Sequence, residues 1–214
     1  MLVASFRKDS GDTLIEVLFA TAVFSLIAVG GLALMNQGTA ASQRALEITL
    51  VRNEIDSQAE ALRFLNASYI AAYQIGVSDY AVNTPAGQWQ LMHNSIVASG
   101  LSSASPFGAT GSTTCPSSPQ GSFIIDTRNA TFVSPSSGNM GLAQTFSKVI
   151  YDAGGNLTSA AGIWIEAVRS ISVNDNNQAG IGYIDFHIRA CWDSPGQSVP
   201  ATIGTIVRLY EPRG

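Results

Sequence analysis

The feature that most limits what this chain can fold into is an uninterrupted apolar run from Val17 to Met35. The run contains 19 residues, none of them is charged, and only Thr21 and Ser25 are polar. At a rise of about 1.5 Å per residue, a helix of this length crosses a hydrocarbon core about 30 Å thick. The sequence therefore predicts a helix that crosses a membrane.

Basic residues lie on one side of this run. Arg7 and Lys8 precede it, and no further basic residue follows until Arg44. Because positive charge is retained on the cytoplasmic side, we expect the N-terminus inside and the remainder of the chain outside. An ordinary secretory signal, a plain single-pass anchor and a more specific kind of export segment all fit this pattern. A secretory signal typically has a shorter apolar region of about 7–15 residues.

The third interpretation depends on Glu16, which stands at the entrance of the apolar run. A carboxylate at the edge of a membrane span is unfavourable unless a partner neutralises it. Thr13 and Glu16 have the spacing of a capping box, which would satisfy free N–H groups at the start of any helix. Capping does not explain why a basic cluster, Gly11 and this box follow one another in this order.

The order SGDTLIEVLFA, residues 10–20, resembles the leader-cleavage signature of type IV prepilins and type II secretion pseudopilins. The resemblance covers residues 7–35. It implies a leader of residues 1–11 with Arg7 and Lys8 as its basic cluster. It also implies cleavage between Gly11 and Asp12 by a membrane prepilin peptidase, which leaves 214 − 11 = 203 residues.

The resemblance gives Glu16 a role in assembly, as the fifth residue of the mature chain. We expect its carboxylate to meet the α-amine at Asp12 of a neighbouring subunit and so to set the axial register. Asp12 stands where the family usually has phenylalanine, which leaves methylation of that amine open. Its own carboxylate competes with Glu16 for the amine.

Apolar residues at three- and four-residue steps predict that the helix continues from about Thr13 to about Tyr73. Residues 12–35 are expected to form its transmembrane half, which the resemblance implies is the filament core. Residues 36–75 are expected to form its amphipathic half, and residues 76–214 a globular head. The predicted apolar stripe comprises Leu46, Leu50, Val51, Ile55, Ala59, Leu62 and Leu65. The predicted polar face carries Arg44, Glu47, Arg52, Glu54, Glu60 and Arg63.

The head is predicted to contain one short helix and several strands. Thr84 followed by Pro85 predicts a helix over residues 85–98. Alternating apolar residues and turn signals predict strands at Ser122–Asp126, Thr131–Val133, Lys148–Tyr151, Ile163–Val173, Tyr183–Trp192 and Thr202–Tyr210. The expected fold is α+β, with a long N-terminal helix packed on a C-terminal antiparallel sheet, as the pilin resemblance also implies.

Composition gives little support to chemistry or to nucleic-acid binding. Charged residues make up 12% of the chain, the net charge is −4, and the basic residues are scattered. A nucleic-acid partner is not expected, although Arg128, Arg169, Arg189 and Arg208 could form a local basic patch in the fold. No metal, phosphate-loop or hydrolase motif is present, so we predict no enzymatic activity, metal or cofactor.

The cysteines, tryptophans and histidines are expected to have structural positions in the fold, not catalytic or metal-binding ones. Cys115 and Cys191 fit no metal pattern and are expected either to pair after export or to remain buried thiols. Three tryptophans are expected in the core (Trp89, Trp164 and Trp192), and His93 and His187 are expected at the surface.

Together with these observations, the resemblance implies a structural subunit, a minor pilin or pseudopilin, that is anchored in the cytoplasmic membrane before it enters an extracellular or periplasmic filament. Its expected partners are other pilin subunits, the prepilin peptidase, the inner-membrane assembly platform and membrane lipid. The alternative is a membrane-anchored or secreted extracytoplasmic binding domain that does not polymerise. A pilus, a secretion system and a competence machine all remain open.

Overall fold

The computed structural model describes residues 12–74, 76–77, 79–105, 114–116, 119–134, 140–141, 143–170 and 182–212. The chain divides into two compact units, Met1–Ala45 and Leu46–Gly214. The predicted leader residues Arg7, Lys8 and Gly11 lie outside the described residues.

Two helices and seven strands make up the described fold. Helix α1 covers Asp12–Ala72, 61 residues, and confirms the predicted long helix. Helix α2 covers Pro85–Ser99; it begins where the Thr84 hydroxyl accepts a hydrogen bond from the Gly87 N–H, as the Thr-Pro signal predicts. The strands are β1 (Ile124–Asp126), β2 (Thr131–Val133), β3 (Lys148–Tyr151), β4 (Leu157–Ala161), β5 (Ile163–Ser170), β6 (Tyr183–Trp192) and β7 (Ala201–Tyr210).

The largest sheet is a three-stranded antiparallel meander in the order β5-β6-β7. Its register places Ile188 of β6 between Ile165 of β5 and Thr205 of β7. The inward side chains of β6 are buried while Asp185, His187 and Arg189 are half-buried on the other face. The alternation predicted for this strand is therefore confirmed, and so is the α+β class.

Two antiparallel hairpins, β1–β2 and β3–β4, complete the described sheets. The sequence analysis did not identify β4. Only Gly162 separates β4 from β5, and its φ of +63° turns the chain there. A side chain at this position would collide with the Cys191 carbonyl, so the turn requires glycine.

The core of the Leu46–Gly214 unit lies between α1, α2 and the inner face of the sheet. Val51, Ile55 and Leu62 of α1 are almost fully buried there. The predicted stripe is wrong at Leu46 and Leu50, which are 60% and 37% exposed, and Glu47 was wrongly placed on the polar face, because it is only 8% exposed. At about 100° per residue, position 47 lies one turn before Val51 on the buried face, whereas position 46 is rotated away from it.

Polar contacts establish how α1 runs along the sheet. Trp192, at the β6 end opposite Ala201, donates to Glu47 at 3.0 Å, and Asn66 donates to the Tyr210 carbonyl at 3.4 Å. The 19 helical steps from Glu47 to Asn66 cover about 28 Å, and the nine strand steps from Ala201 to Tyr210 cover about 30 Å. Within this unit α1 therefore follows β7 in the same direction.

Candidate functional site

The first unit presents the apolar run as an exposed helical surface. Large apolar side chains project from it along its whole length, among them Phe24 at 73% and Leu26 at 74% exposure. Within the part of the chain that the structure describes, α1 is the one helix long and apolar enough to cross a membrane. Such a surface is stable only when lipid or other apolar helices cover it.

The two polar side chains inside the run are satisfied by the helix itself. The Thr21 hydroxyl lies 3.0 Å from the Val17 carbonyl oxygen and 2.9 Å from that of Leu18. The Ser25 hydroxyl donates to the Thr21 carbonyl at 2.7 Å. Neither hydroxyl therefore needs water, which suits a helix that lies in lipid or against other helices.

Glu16 is exposed at the start of this surface. The helix begins at Asp12, so Thr13 lies inside the first turn, and among the described residues Glu16 makes no hydrogen bond or ion pair. The capping interpretation of Glu16 therefore has no support in these contacts.

The disulfide joins Cys115 to Cys191, with the two Cα atoms 5.6 Å apart. Both residues are buried in a small cluster with Met140 and Trp164 on the outer face of the large sheet. Of the two alternatives left by the sequence, pairing is confirmed. The bond fastens the segment that follows α2 to strand β6.

Glu166, which is fully buried on the outer face of β5, also binds the segment that follows α2. Its carboxylate accepts hydrogen bonds from the N–H and the hydroxyl of Ser105, at 3.2 and 2.5 Å, and from Trp164 at 3.3 Å. The Arg189 guanidinium lies 3.0 Å from it and also donates to the Ser105 carbonyl. The sequence analysis missed this cluster because a strand pattern cannot show that residues 101–105 cover this face.

A third carboxylate, Glu211, follows β7 and joins three elements. It accepts from His93 of α2 at 2.8 Å and from two nitrogens of Arg169 of β5 at 2.9 and 3.0 Å. The hydrogen bond from His93, reinforced by those from Arg169 and opposed by burial, lowers the pKa of Glu211 to about 2. His93, which was expected at the surface, is thus half-buried and bonded to an acid.

The four arginines considered for a basic patch are engaged elsewhere. Besides Arg169 and Arg189, Arg208 makes two 2.7 Å bonds to Asp185. Arg128 lies over the Tyr151 ring, 4.2 Å from its centre. Three of the four charges are therefore neutralised by carboxylates, and the fold provides no free basic patch from these residues.

The three tryptophans are buried, as predicted, at 1–3% exposure. No group of three or more His, Cys, Asp or Glu that could hold a metal ion occurs in the described ranges. Comparison with protein-family models, with curated proteins and with solved structures finds no match to this chain.

Proposed function

We propose that this chain is a structural subunit, a minor pilin or pseudopilin, of a type IV pilus-like filament. The observation that carries the proposal is the division of helix α1 between two tasks. Its first part exposes a continuous apolar surface behind the Gly11–Glu16 signature, and its second part forms the core of an α+β unit. A chain built in this way has an anchor and a head on one helix.

The apolar surface couples assembly to departure from the membrane. Moving each Leu, Ile, Val or Phe side chain from lipid to water raises the free energy by about 1.5–3 kcal/mol. With many such side chains exposed between Leu14 and Met35, a subunit leaves the bilayer only if other helices cover them. Subunits packed side by side through α1 provide that cover, and the assembly platform would supply the extraction.

Glu16 gives this packing a register. In apolar surroundings a carboxylate without a partner is unfavourable, and a neighbouring α-amine released by cleavage before Asp12 would neutralise it. The prepilin peptidase would thus create the partner of Glu16. The head would lie outside the cytoplasmic membrane, where the Cys115–Cys191 disulfide is stable.

The N-terminal residue of the processed protein tests this proposal. In a host with a prepilin peptidase, mass spectrometry is expected to find chains that begin at Asp12. Gly11→Val should leave the chain uncut, and the matched control Gly38→Val, within helix α1, should be cut normally. A parent chain that begins near Ala41, as cleavage of an ordinary secretory signal after the small residues 38–40 would leave it, or a chain that retains Met1, would overturn the proposal.

The alternative function, an anchored or secreted binding domain that does not polymerise, is favoured by one observation. The Leu46–Gly214 unit has a hydrophobic core of its own and does not require a filament neighbour to complete it. The same spectrum separates the two functions, because only the filament subunit requires cleavage after Gly11.

A further inference from the structure

Among the described strands, β7 has a neighbour along one side only. It pairs with β6 over all ten residues without a register shift, and no strand in the described part of the chain pairs with its other side. The opposite edge of the sheet differs, because Phe123 and Ile165 of β5 exchange two backbone hydrogen bonds there. An uncovered edge presents N–H and C=O groups that another strand can bind.

The register identifies which groups face outward. The Glu211 N–H donates to the Gly182 carbonyl at 2.9 Å, so the pair that continues the β6–β7 ladder is a hydrogen-bonded one. Because bonded and non-bonded pairs alternate in an antiparallel ladder, the odd-numbered residues of β7 bond to β6. The even-numbered residues direct their N–H and C=O groups to the open edge: Thr202, Gly204, Ile206, Arg208 and Tyr210. The Tyr210 carbonyl already accepts a hydrogen bond from Asn66, so it is not free to pair with another strand.

This edge lacks the sequence features that usually prevent another strand from pairing with it. Within β7 there is no proline, no lysine and no bulge. Its one charged side chain, Arg208, is neutralised by two bonds to Asp185. Ile206 and Tyr210 are exposed apolar groups at 61% and 56%. The edge is therefore open, uncharged in net terms and partly apolar.

We propose that the open edge of β7 pairs with the same edge of a second copy of this chain, antiparallel and centred on Ile206. In this register Ile206 lies opposite its own copy, and Arg208 lies opposite Gly204, so no like charges face each other. A centre at Arg208 would bring two guanidinium groups together. A centre at Gly204 would place Arg208 opposite Pro200, which has no N–H to donate.

The contact is two-fold and closes on itself, so it forms pairs and does not propagate. It joins two three-stranded sheets into one of six strands. Because α1 follows β7 in this unit, the Leu46–Ala72 segments of the two copies run in opposite directions. Because α1 is one helix, two copies paired in this way are not neighbours in one bilayer or in one filament, where the helices run in the same direction. The pairing is therefore separate from the assembly through the apolar part of α1, and it does not depend on the proposed function.

Single cysteines in the full-length chain, purified in detergent and mildly oxidised, test the register. In the proposed pair the two Ile206 Cα atoms are about 5.5 Å apart, within the range of a disulfide, so Ile206→Cys should give a covalent dimer. Thr202→Cys is the matched control on the same edge. Its copy lies eight residues away, about 27 Å, so it should remain monomeric. Both native cysteines are already paired, so the new thiol is the only free one.

Two further variants separate this contact from dimers formed through α1. Ile206→Lys should weaken dimerisation, measured by light scattering, about tenfold or more, because two like charges meet at the centre. Val199→Lys, at a 60% exposed position outside β7, should leave it unchanged. Ile206→Pro should also abolish the dimer while circular dichroism is retained, because the Ile206 N–H does not bond to β6. A parent chain that stays monomeric, equal cross-linking at positions 202 and 206, or a dimer that survives Ile206→Lys would overturn the proposal.

Discussion

Three glutamates in the Leu46–Gly214 unit are held by protein donors instead of water. Glu47 accepts from Trp192 and Ser194, Glu166 from Ser105 and Trp164, and Glu211 from His93 and Arg169. A buried carboxylate is unfavourable unless such bonds are made. Each glutamate therefore fixes the relative positions of the elements that supply its donors.

Glu211 makes the stability of the head dependent on acid pH. Its pKa falls from 4.5 to about 2 in the fold. The carboxylate therefore contributes stability that is fully present above about pH 4.5 and is lost as the pH falls toward 2. Glu211→Gln should remove this part of the acid sensitivity, which melting temperatures measured across pH 2–5 would reveal.

The control for this prediction is Glu60→Gln on the exposed surface of α1, where the side chain is 72% exposed. Exposed ion pairs contribute little, so the pH profile of this variant should match the parent. Parallel loss of stability in the parent and in Glu211→Gln between pH 4.5 and 2 would contradict the assignment.

At the scale of elements, the sequence predicts what depends on local pattern. The bounds of α1, α2, β2, β3 and β6 follow from periodicity, a cap and turn residues, because these signals act within one element. The sequence pattern assigned Leu46 to the buried face of α1 and Glu47 to the polar face, and the structure shows the reverse. The error arises because the element that packs against a helix determines which face is buried. Burial of Glu166 was missed for a related reason, since residues 101–105 cover it from a distant part of the chain.

The assignment of the buried face of α1 can be measured with two leucines. Leu62 is fully buried, so Leu62→Ala should lower the free energy of unfolding by about 2–5 kcal/mol. Leu46→Ala, on the same helix but at a 60% exposed position, should change it by no more than about 0.5 kcal/mol. Urea unfolding followed by tryptophan fluorescence would report both values, and equal effects would show that the face is wrongly assigned.

At the scale of the whole molecule, helix α1 passes through both units and gives them different surroundings. The apolar run was evident from sequence because length and charge alone determine which segments can enter lipid. The proposed site at Gly11–Glu16 rests on the order of a few residues in the sequence. The role proposed for Glu16 requires a second subunit, so neither the sequence nor one chain displays its partner.

Replacement of Glu16 tests that partnership. Glu16→Val should insert into membranes normally, because it lengthens the apolar run, but it should enter filaments about tenfold less, since a charge-assisted hydrogen bond contributes about 1.5–3 kcal/mol. Quantification of membrane and shed fractions would measure this ratio. Glu60→Val removes an acid from the exposed part of the same helix and should assemble as the parent does. Normal incorporation of Glu16→Val would exclude the register role.

The parallel course of α1 and β7 has a mechanical consequence. Glu47, Gln58 and Asn66 connect the helix to the head at three heights, through Trp192, the backbone of Ile125 and the carbonyl of Tyr210. A force that pulls this part of the helix along its own axis, relative to the head, loads the three connections simultaneously. They must then rupture together instead of one after another, so the head resists axial tension far better than a sideways pull that would peel the helix away.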